Sequence, residues 1–280
     1  MARVIAWSKA KARWAIDWAL GARETHASVD VGFRVADRDK SVAASVLAGG
    51  VAYRFFFWLL ALSVLTTGVV GLLNGSRIEG ALRDQGAGPV LVELVADASQ
   101  NSQTTSWWLL FLGTWLVLWT GYMSAKALTL VHATVWGVPS PRLGNAAVAS
   151  LVFTGAALGF VASMAAVRWL RTEAAALGFI ATLALIVVPF ATWMWASARL
   201  PPRGLSWLQL LPGAVLIALG VQALHLFTTL YLGPKLTNST QLYGALGIAT
   251  TILFWLYIVA RLVIGGATLN ASLDEHRSGR

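Results

Sequence analysis

Long apolar runs alternate with short polar segments along the chain. Six of these runs reach about 20 residues, the length that a helix needs to cross a bilayer. They lie near 44–73, 107–131, 145–167, 174–197, 208–232 and 243–271. Proline and glycine interrupt the pattern between the runs, at 137–145, 199–207 and 231–240. The pattern predicts an all-α, polytopic membrane protein with six transmembrane helices.

Two polar stretches fall outside these runs and predict amphipathic helices. In residues 4–18, one helical stripe carries Val4, Trp7, Trp14 and Trp18. That stripe suits a helix on the inner membrane surface, or one packed on the helix bundle. Residues 74–106 form an outer loop with apolar residues at helical spacing, Leu91, Leu94, Val95 and Ala98. The chain thus divides into an N-terminal segment 1–43, a membrane domain 44–273 and a tail 274–280.

The charges predict the orientation of the spans. Apolar residues make up 57% of the chain and charged residues 12%, about half the fraction of a soluble protein. If the N-terminus is inside, the inside segments hold 13 Lys and Arg residues and the outside segments hold 5. Both termini are therefore expected in the cytoplasm, with the protein in the inner membrane. The net charge of +9 follows this distribution, so we expect no nucleic-acid partner.

The last third of the chain contains several short motifs at fixed spacing. Pro212-Gly213-Ala214 opens the fifth run, and Tyr243-Gly244-Ala245-Leu246-Gly247 opens the sixth. The sixth run closes on Gly266-Ala267-Thr268-Leu269-Asn270-Ala271. These motifs resemble those of the YihY/BrkB family. Residues 47–63 and 131–139 are similar to further motifs of that family, so the resemblance covers about 35–273.

The resemblance implies an inner-membrane protein with six helical spans. The family is described as transporters without an agreed substrate, and it also carries an old ribonuclease label. A ribonuclease needs an acid/base pair or a carboxylate metal cluster, and the sequence shows neither. It also lacks cysteine, a P-loop and an H-E-x-x-H motif. We therefore expect no enzyme activity, no cofactor and no metal.

Three cations lie within the predicted spans, whereas every Asp and Glu lies outside them. These cations are Arg54, Lys126 and Arg261. A central arginine costs about 2.5–3.5 kcal/mol on an insertion scale. Without a carboxylate partner, that cost must be offset by backbone carbonyls, aromatic rings, lipid phosphate or a bound anion.

Each of the three cations has a structural and a functional interpretation. Lys126 can extend to the membrane surface, and Arg54 can stack on the aromatic residues around it. Arg261 can join helices, or it can face a water-filled cavity that selects anions. We expect it to meet Gln222, His225 or such a cavity.

Polar residues at helical spacing predict where a pathway would run. They form three stripes: Gln222, His225 and Thr229; Tyr257, Arg261 and Thr268; and Tyr122, Lys126 and Thr129. Such stripes either join helices or line a pathway. His225 is the one candidate proton carrier, whereas His132 reads as structural or interfacial. The pathway candidates are Arg54, Lys126, Gln222, His225, Tyr257 and Arg261.

Two functions fit these observations. The first is a transporter of an anionic or amphipathic solute, with membrane lipids, an anionic small molecule or a lipid head group as partner. The second is a non-transporting scaffold that supports envelope integrity. A groove open to lipid would favour lipid movement, and a closed aqueous cavity would favour a soluble solute. A bundle without cavities would favour the scaffold.

Overall fold

Helices form the whole regular structure of the described residues. The computed structural model describes residue 21 and residues 25–72, 103–173, 178–202, 204–227 and 233–278. Seven helices and no strand occur in them. The helices are α1 (Ala27–Ser41), α2 (Ala44–Leu72), α3 (Gln103–Trp136), α4 (Ala146–Glu173), α5 (Gly178–Ser197), α6 (Trp207–Phe227) and α7 (Gly233–Ser278). The all-α prediction is therefore confirmed over this part of the chain.

Over the described residues, each predicted span overlaps one helix, from α2 to α7. Five segments of these helices are long and apolar enough to cross a membrane. They are Ala44–Val69, Ser106–Trp136, Ala146–Ser163, Trp207–Leu224 and Ala249–Ser278. In α5 the apolar stretch found among the described residues, Ile186–Ser197, is shorter than a span. The described structure thus supports a membrane protein with at least five spanning helices.

The predictions about the segments outside the spans have different outcomes. The break at 137–145 is confirmed, and so is the break at 199–207 over its described residues 199–202 and 204–206. The break at 231–240 is wrong from Gly233 onward, because α7 already begins there. Pro234 is tolerated because its missing N–H would have no partner in the first turn of a helix. The helices expected in 4–18 and around Leu91–Ala98 lie outside the described residues.

Helices α2 and α3 pack closely and antiparallel through glycines. A Cβ atom on Gly113 would lie 2.6 Å from the Cα atom of Leu65, and one on Gly68 would lie 2.7 Å from the Leu110 nitrogen. Only glycine permits such an approach, which is how membrane helices gain packing contacts without a hydrophobic driving force. Further along, the Ser124 hydroxyl donates to the Arg54 carbonyl at 3.4 Å.

The family motifs of α6 and α7 meet at one helix crossing. A Cβ atom on Gly213 would lie 2.4 Å from the Gly266 carbonyl oxygen. The Asn270 side chain accepts from the Gly213 N–H at 2.7 Å and donates to the Leu210 carbonyl at 3.2 Å. Pro212 lies in the same turn and lacks an N–H of its own. The motifs therefore form a structural junction, in which an amide pairs backbone groups beside a proline.

Small residues fill the core where α2, α3 and α7 meet. Its buried members include Ala44, Ala48, Ala127, Ala260, Ala267 and Ala271. A second cluster joins α5, α6 and α7 around Trp193, Ala214, Ile217 and Val263. Ala44 and Ala271 share the first cluster, so α2 begins where α7 approaches its end. We call this the α1 end of the bundle, because α1 precedes α2 there.

Candidate functional site

Arg261 is paired with a carboxylate from the other end of the chain. Its Nη1 donates to Asp39 Oδ1 at 3.0 Å and its Nη2 donates to Asp39 Oδ2 at 3.2 Å. The two side chains are 34% and 31% exposed, so the pair is only partly solvated. Two parallel hydrogen bonds suit the planar guanidinium and fix its orientation. Arg261 therefore has a structural partner of opposite charge.

This pair corrects two expectations. The six predicted spans lack acids, but α1 supplies one from outside them, so the expected absence of a carboxylate partner is wrong for Arg261. The expected contact of Arg261 with Gln222 is also wrong, because both ends of the guanidinium fork donate to Asp39 and the Gln222 oxygen accepts no hydrogen bond from a described residue. The expected contacts with His225 and with a water-filled cavity stay predictions, because the His225 side chain lies outside the described residues.

One further ion pair and a histidine–carboxylate contact join α1 to the last turns of α7. Arg38 donates to Glu275, and His276 Nδ1 lies 3.5 Å from Asp30 Oδ2. Arg34, one turn along α1, donates to the same Asp30 oxygen at 2.8 Å. That hydrogen bond and the charge of Asp30 raise the pKa of Arg34. Charged side chains therefore join the polar helix α1 to α7 at several points.

Arg54 also has a partner within the protein. Its Nη1 donates to the Met123 carbonyl of α3 at 3.0 Å and lies 3.8 Å from the Met123 sulfur. A carbonyl has a second lone pair beyond the one used in the helix, so it can accept this bond. A backbone carbonyl is one of the partner types expected for a cation within a span. This contact links α2 to α3.

Lys126 lines a polar cavity of about 320 Å³ beside α3. One face of α3 supplies Tyr122, Lys126 and Thr129 over two turns, as the polar stripe predicts. The loop between α3 and α4 supplies Ser140, Pro141, Arg142 and Leu143. Both cations are exposed. Neither forms a hydrogen bond or ion pair with any residue of the described structure.

The local sequence explains why this loop returns to Lys126. Gly137 ends α3 with a φ of 65°, and Val138 N–H bonds to the Ala133 carbonyl at 2.9 Å. This is a Schellman ending, which favours glycine because its φ is positive. Asn145 then caps α4 through the Ala147 N–H at 2.9 Å.

The α3–α4 contact sets the depth of the loop. Ser150, one turn into α4, donates to the Val117 carbonyl at 3.2 Å. Helix α4 therefore begins well before α3 ends. The loop runs back along α3 by roughly ten residues, or about 15 Å at 1.5 Å per residue. Arg142 reaches the level of Lys126 for this reason.

Tyr257 lines a second, apolar cavity between α2 and α7. This groove has a volume of about 360 Å³. Its lining consists of Gly49, Ala52, Tyr53, Thr250, Leu253, Phe254 and Tyr257. Tyr53 and Phe254 are 58% and 55% exposed, so the groove opens on the outer flank of the bundle. We call it the α2–α7 groove.

The remaining polar candidates that the structure describes do not line either cavity. The Gln222 Oε1 atom is buried and has no hydrogen-bond partner among the described residues. Residue 225 lies in α6, but the His225 side chain is outside the described structure, as is Thr229. Thr268 is buried and donates to the Ile264 carbonyl at 2.9 Å. His132 is buried as well, with its ring 5.7 Å from that of Trp193.

Sequence reasoning missed three residues that shape these sites. They are Asp39, Arg142 and Asn270. Asp39 lies just before the first span. That position was the available signal, because an acid next to a span can pair with a cation within one. Asn270 belonged to a recognised motif, although its pairing with Gly213 and Leu210 depends on tertiary structure.

Comparisons with known proteins place the chain in a family. The family described as Virulence factor BrkB matches residues 35–280. A UPF0761 membrane protein of Rhodospirillum centenum is 36% identical over 81 residues. That alignment covers 29% of this chain and 18% of the relative's length. No solved structure matches the chain. Because the family match spans most of the sequence and includes the motifs of α6 and α7, the protein belongs to the YihY/BrkB family, as those motifs predicted.

Proposed function

We propose that this protein carries an anionic amphiphile, a membrane lipid, across the inner membrane. The proposal includes six spans with both termini in the cytoplasm, and no enzyme activity or cofactor. Its orientation rests on the asymmetry of basic residues between the two sides.

The α2–α7 groove is the observation that carries the proposal. Its wall is almost wholly apolar and open on the flank of the bundle. In a membrane, that flank faces acyl chains. A hydrocarbon chain can lie in such a groove at little cost, whereas a small hydrophilic anion would lose its hydration there. The groove therefore favours a lipid over a soluble solute.

The scaffold interpretation explains part of the structure. Arg261 is paired with Asp39 and Arg54 bonds to a carbonyl, so both have roles within the protein. Neither role uses the α2–α7 groove, or the two cations in the polar cavity, which have no partner among the described residues. Transport therefore accounts for more of the observations.

Liposome flux measurements test the proposal. We would reconstitute the protein and measure transfer of a fluorescent phospholipid between leaflets, with a labelled small anion in parallel. Gly49→Leu adds a side chain in the groove, where a Cβ meets nothing within 4 Å. Gly50→Leu is the matched control, because its Cβ is equally free and it does not line the groove.

The expected result is lipid transfer by the wild type and by Gly50→Leu, with a loss in Gly49→Leu of about tenfold. Transfer of the small anion without lipid transfer would reject a lipid solute. No transfer of either probe by a folded, correctly inserted protein would favour the scaffold.

A further inference from the structure

The polar cavity beside α3 combines three properties that the rest of the described structure does not bring together. It contains two cations, Lys126 and Arg142, from different elements. It contains hydroxyl groups from Tyr122 and Ser140. Among the residues that the structure describes, its lining contains no acidic one. An exposed lysine alone would be an ordinary surface feature, so the cavity and its second cation carry the argument.

The position of the cavity adds a physical constraint. The loop that contributes Arg142 runs back beside α3, level with an apolar helix of spanning length. Irregular backbone at such a depth is tolerated where it lines a polar, hydrated space. The volume of about 320 Å³ holds roughly ten waters at about 30 Å³ each. A phosphate group with several waters fits that space.

The donor set matches a phosphate group. A guanidinium presents N–H groups in a fork that fits two phosphate oxygens, and a lysine adds a mobile point charge. Tyrosine and serine hydroxyls donate to the remaining oxygens. A carboxylate ligand would use fewer of these donors. A neutral ligand would leave both charges unpaired.

We propose that this cavity binds the phosphate group of an anionic ligand, with Arg142 and Lys126 as its cationic contacts. The inference rests on the proposed lipid function but concerns a different site from the α2–α7 groove. The phosphate can belong to a lipid head group or to free phosphate, and both share the chemistry described.

Calorimetric titration of the detergent-solubilised, full-length protein tests this site. The probes are short-chain phosphatidic acid, short-chain phosphatidylcholine and inorganic phosphate. Lys126→Gln and Arg142→Gln should each weaken binding of phosphatidic acid by about tenfold, the usual value of a charged hydrogen bond. Lys126→Arg, which keeps the charge, should restore most of the affinity.

Arg199→Gln is the matched control. It removes one positive charge at the α1 end of the bundle, as Arg142→Gln does. Arg199 lies outside the cavity, with its Cζ atom 3.9 Å from the centre of the Trp195 ring. Its affinity for phosphatidic acid should stay within about twofold of wild type, because it does not touch the ligand. An equal loss in Arg199→Gln, or unchanged affinity in both Lys126→Gln and Arg142→Gln, would overturn the proposal.

The probes separate the two ligand sources. Phosphatidic acid binding much more tightly than inorganic phosphate indicates a lipid head group, and equal affinities indicate free phosphate. Failures are also distinguishable from those of the proposed function. Charge-dependent binding by a protein without lipid transfer supports the cavity and rejects transport. Lipid transfer by the wild type, together with phosphatidic acid binding that is unchanged in Lys126→Gln and Arg142→Gln, supports transport and rejects the cavity.

Discussion

The α1–α7 contact and the cavity beside α3 contain the same kinds of charged residue in opposite situations. At the first, Arg261 is held by both oxygens of Asp39, and Arg38 is held by Glu275. At the second, Lys126 and Arg142 share a cavity without an acid. A paired cation contributes to the structure, whereas an unpaired cation in a cavity is free to bind a ligand. The partner, rather than the residue type or its depth, indicates the role.

The largest difference between the two regions should appear when a partner is removed. Asp39→Asn leaves Arg261 partly buried with a neutral partner. Exposed pairs contribute about 0–1 kcal/mol, and removing one partner of a buried pair costs about 3–5 kcal/mol. We expect the free energy of unfolding to fall by about 1–3 kcal/mol, because this half-exposed pair lies between those cases. Thermal unfolding in detergent measures it.

Asp37→Asn is the control for this change. Asp37 is exposed on the same helix, two residues away, and forms no described ion pair. Its replacement should leave the melting temperature nearly unchanged. Equal melting temperatures for Asp39→Asn and wild type would contradict a structural role for the pair.

A smaller effect is expected from Arg261→Lys. Lysine keeps the positive charge but cannot form two parallel hydrogen bonds with Asp39. The free energy of unfolding of this variant should fall by about 1 kcal/mol, which is less than for Asp39→Asn, because the Coulomb attraction remains. A double-mutant cycle of Asp39→Asn with Arg261→Gln gives the coupling energy directly. Additive losses would show that the two side chains are not coupled.

The smallest effect on stability is expected for Lys126, in the cavity beside α3. Lys126→Gln removes a charge that has no described partner. The free energy of unfolding should therefore change by less than about 0.5 kcal/mol, or increase. Thermal unfolding without added anionic lipid is the measurement. A loss as large as that of Asp39→Asn would show that Lys126 has a structural partner.

Hydropathy could predict the long helices because a bilayer span needs a local run of apolar residues, which a sequence displays directly. Helix α1 has no such signal. It is a polar helix of 15 residues that forms ion pairs with α7, and Asp39 is 222 residues from Arg261. No local pattern contains that pairing.

The cavity beside α3 was predictable only in part, because one of its walls follows from a local pattern and the other does not. Helical periodicity placed Tyr122, Lys126 and Thr129 on one face. Arg142 joins them only because the Gly137 ending and the α3–α4 contact turn the loop back along α3. The groove depends on the packing of α2 against α7, which a single sequence does not specify.

One measurement tests most directly the claim that the partner decides the role of each cation. The melting temperatures of wild type, Lys126→Gln and Arg261→Gln are compared with and without added phosphatidic acid, and a lipid that binds the folded state raises this temperature. We expect Lys126→Gln to melt like wild type without lipid and to lose most of the lipid-dependent increase. Arg261→Gln should melt lower without lipid and keep the full increase. The account is contradicted if Arg261→Gln loses the increase while Lys126→Gln keeps it.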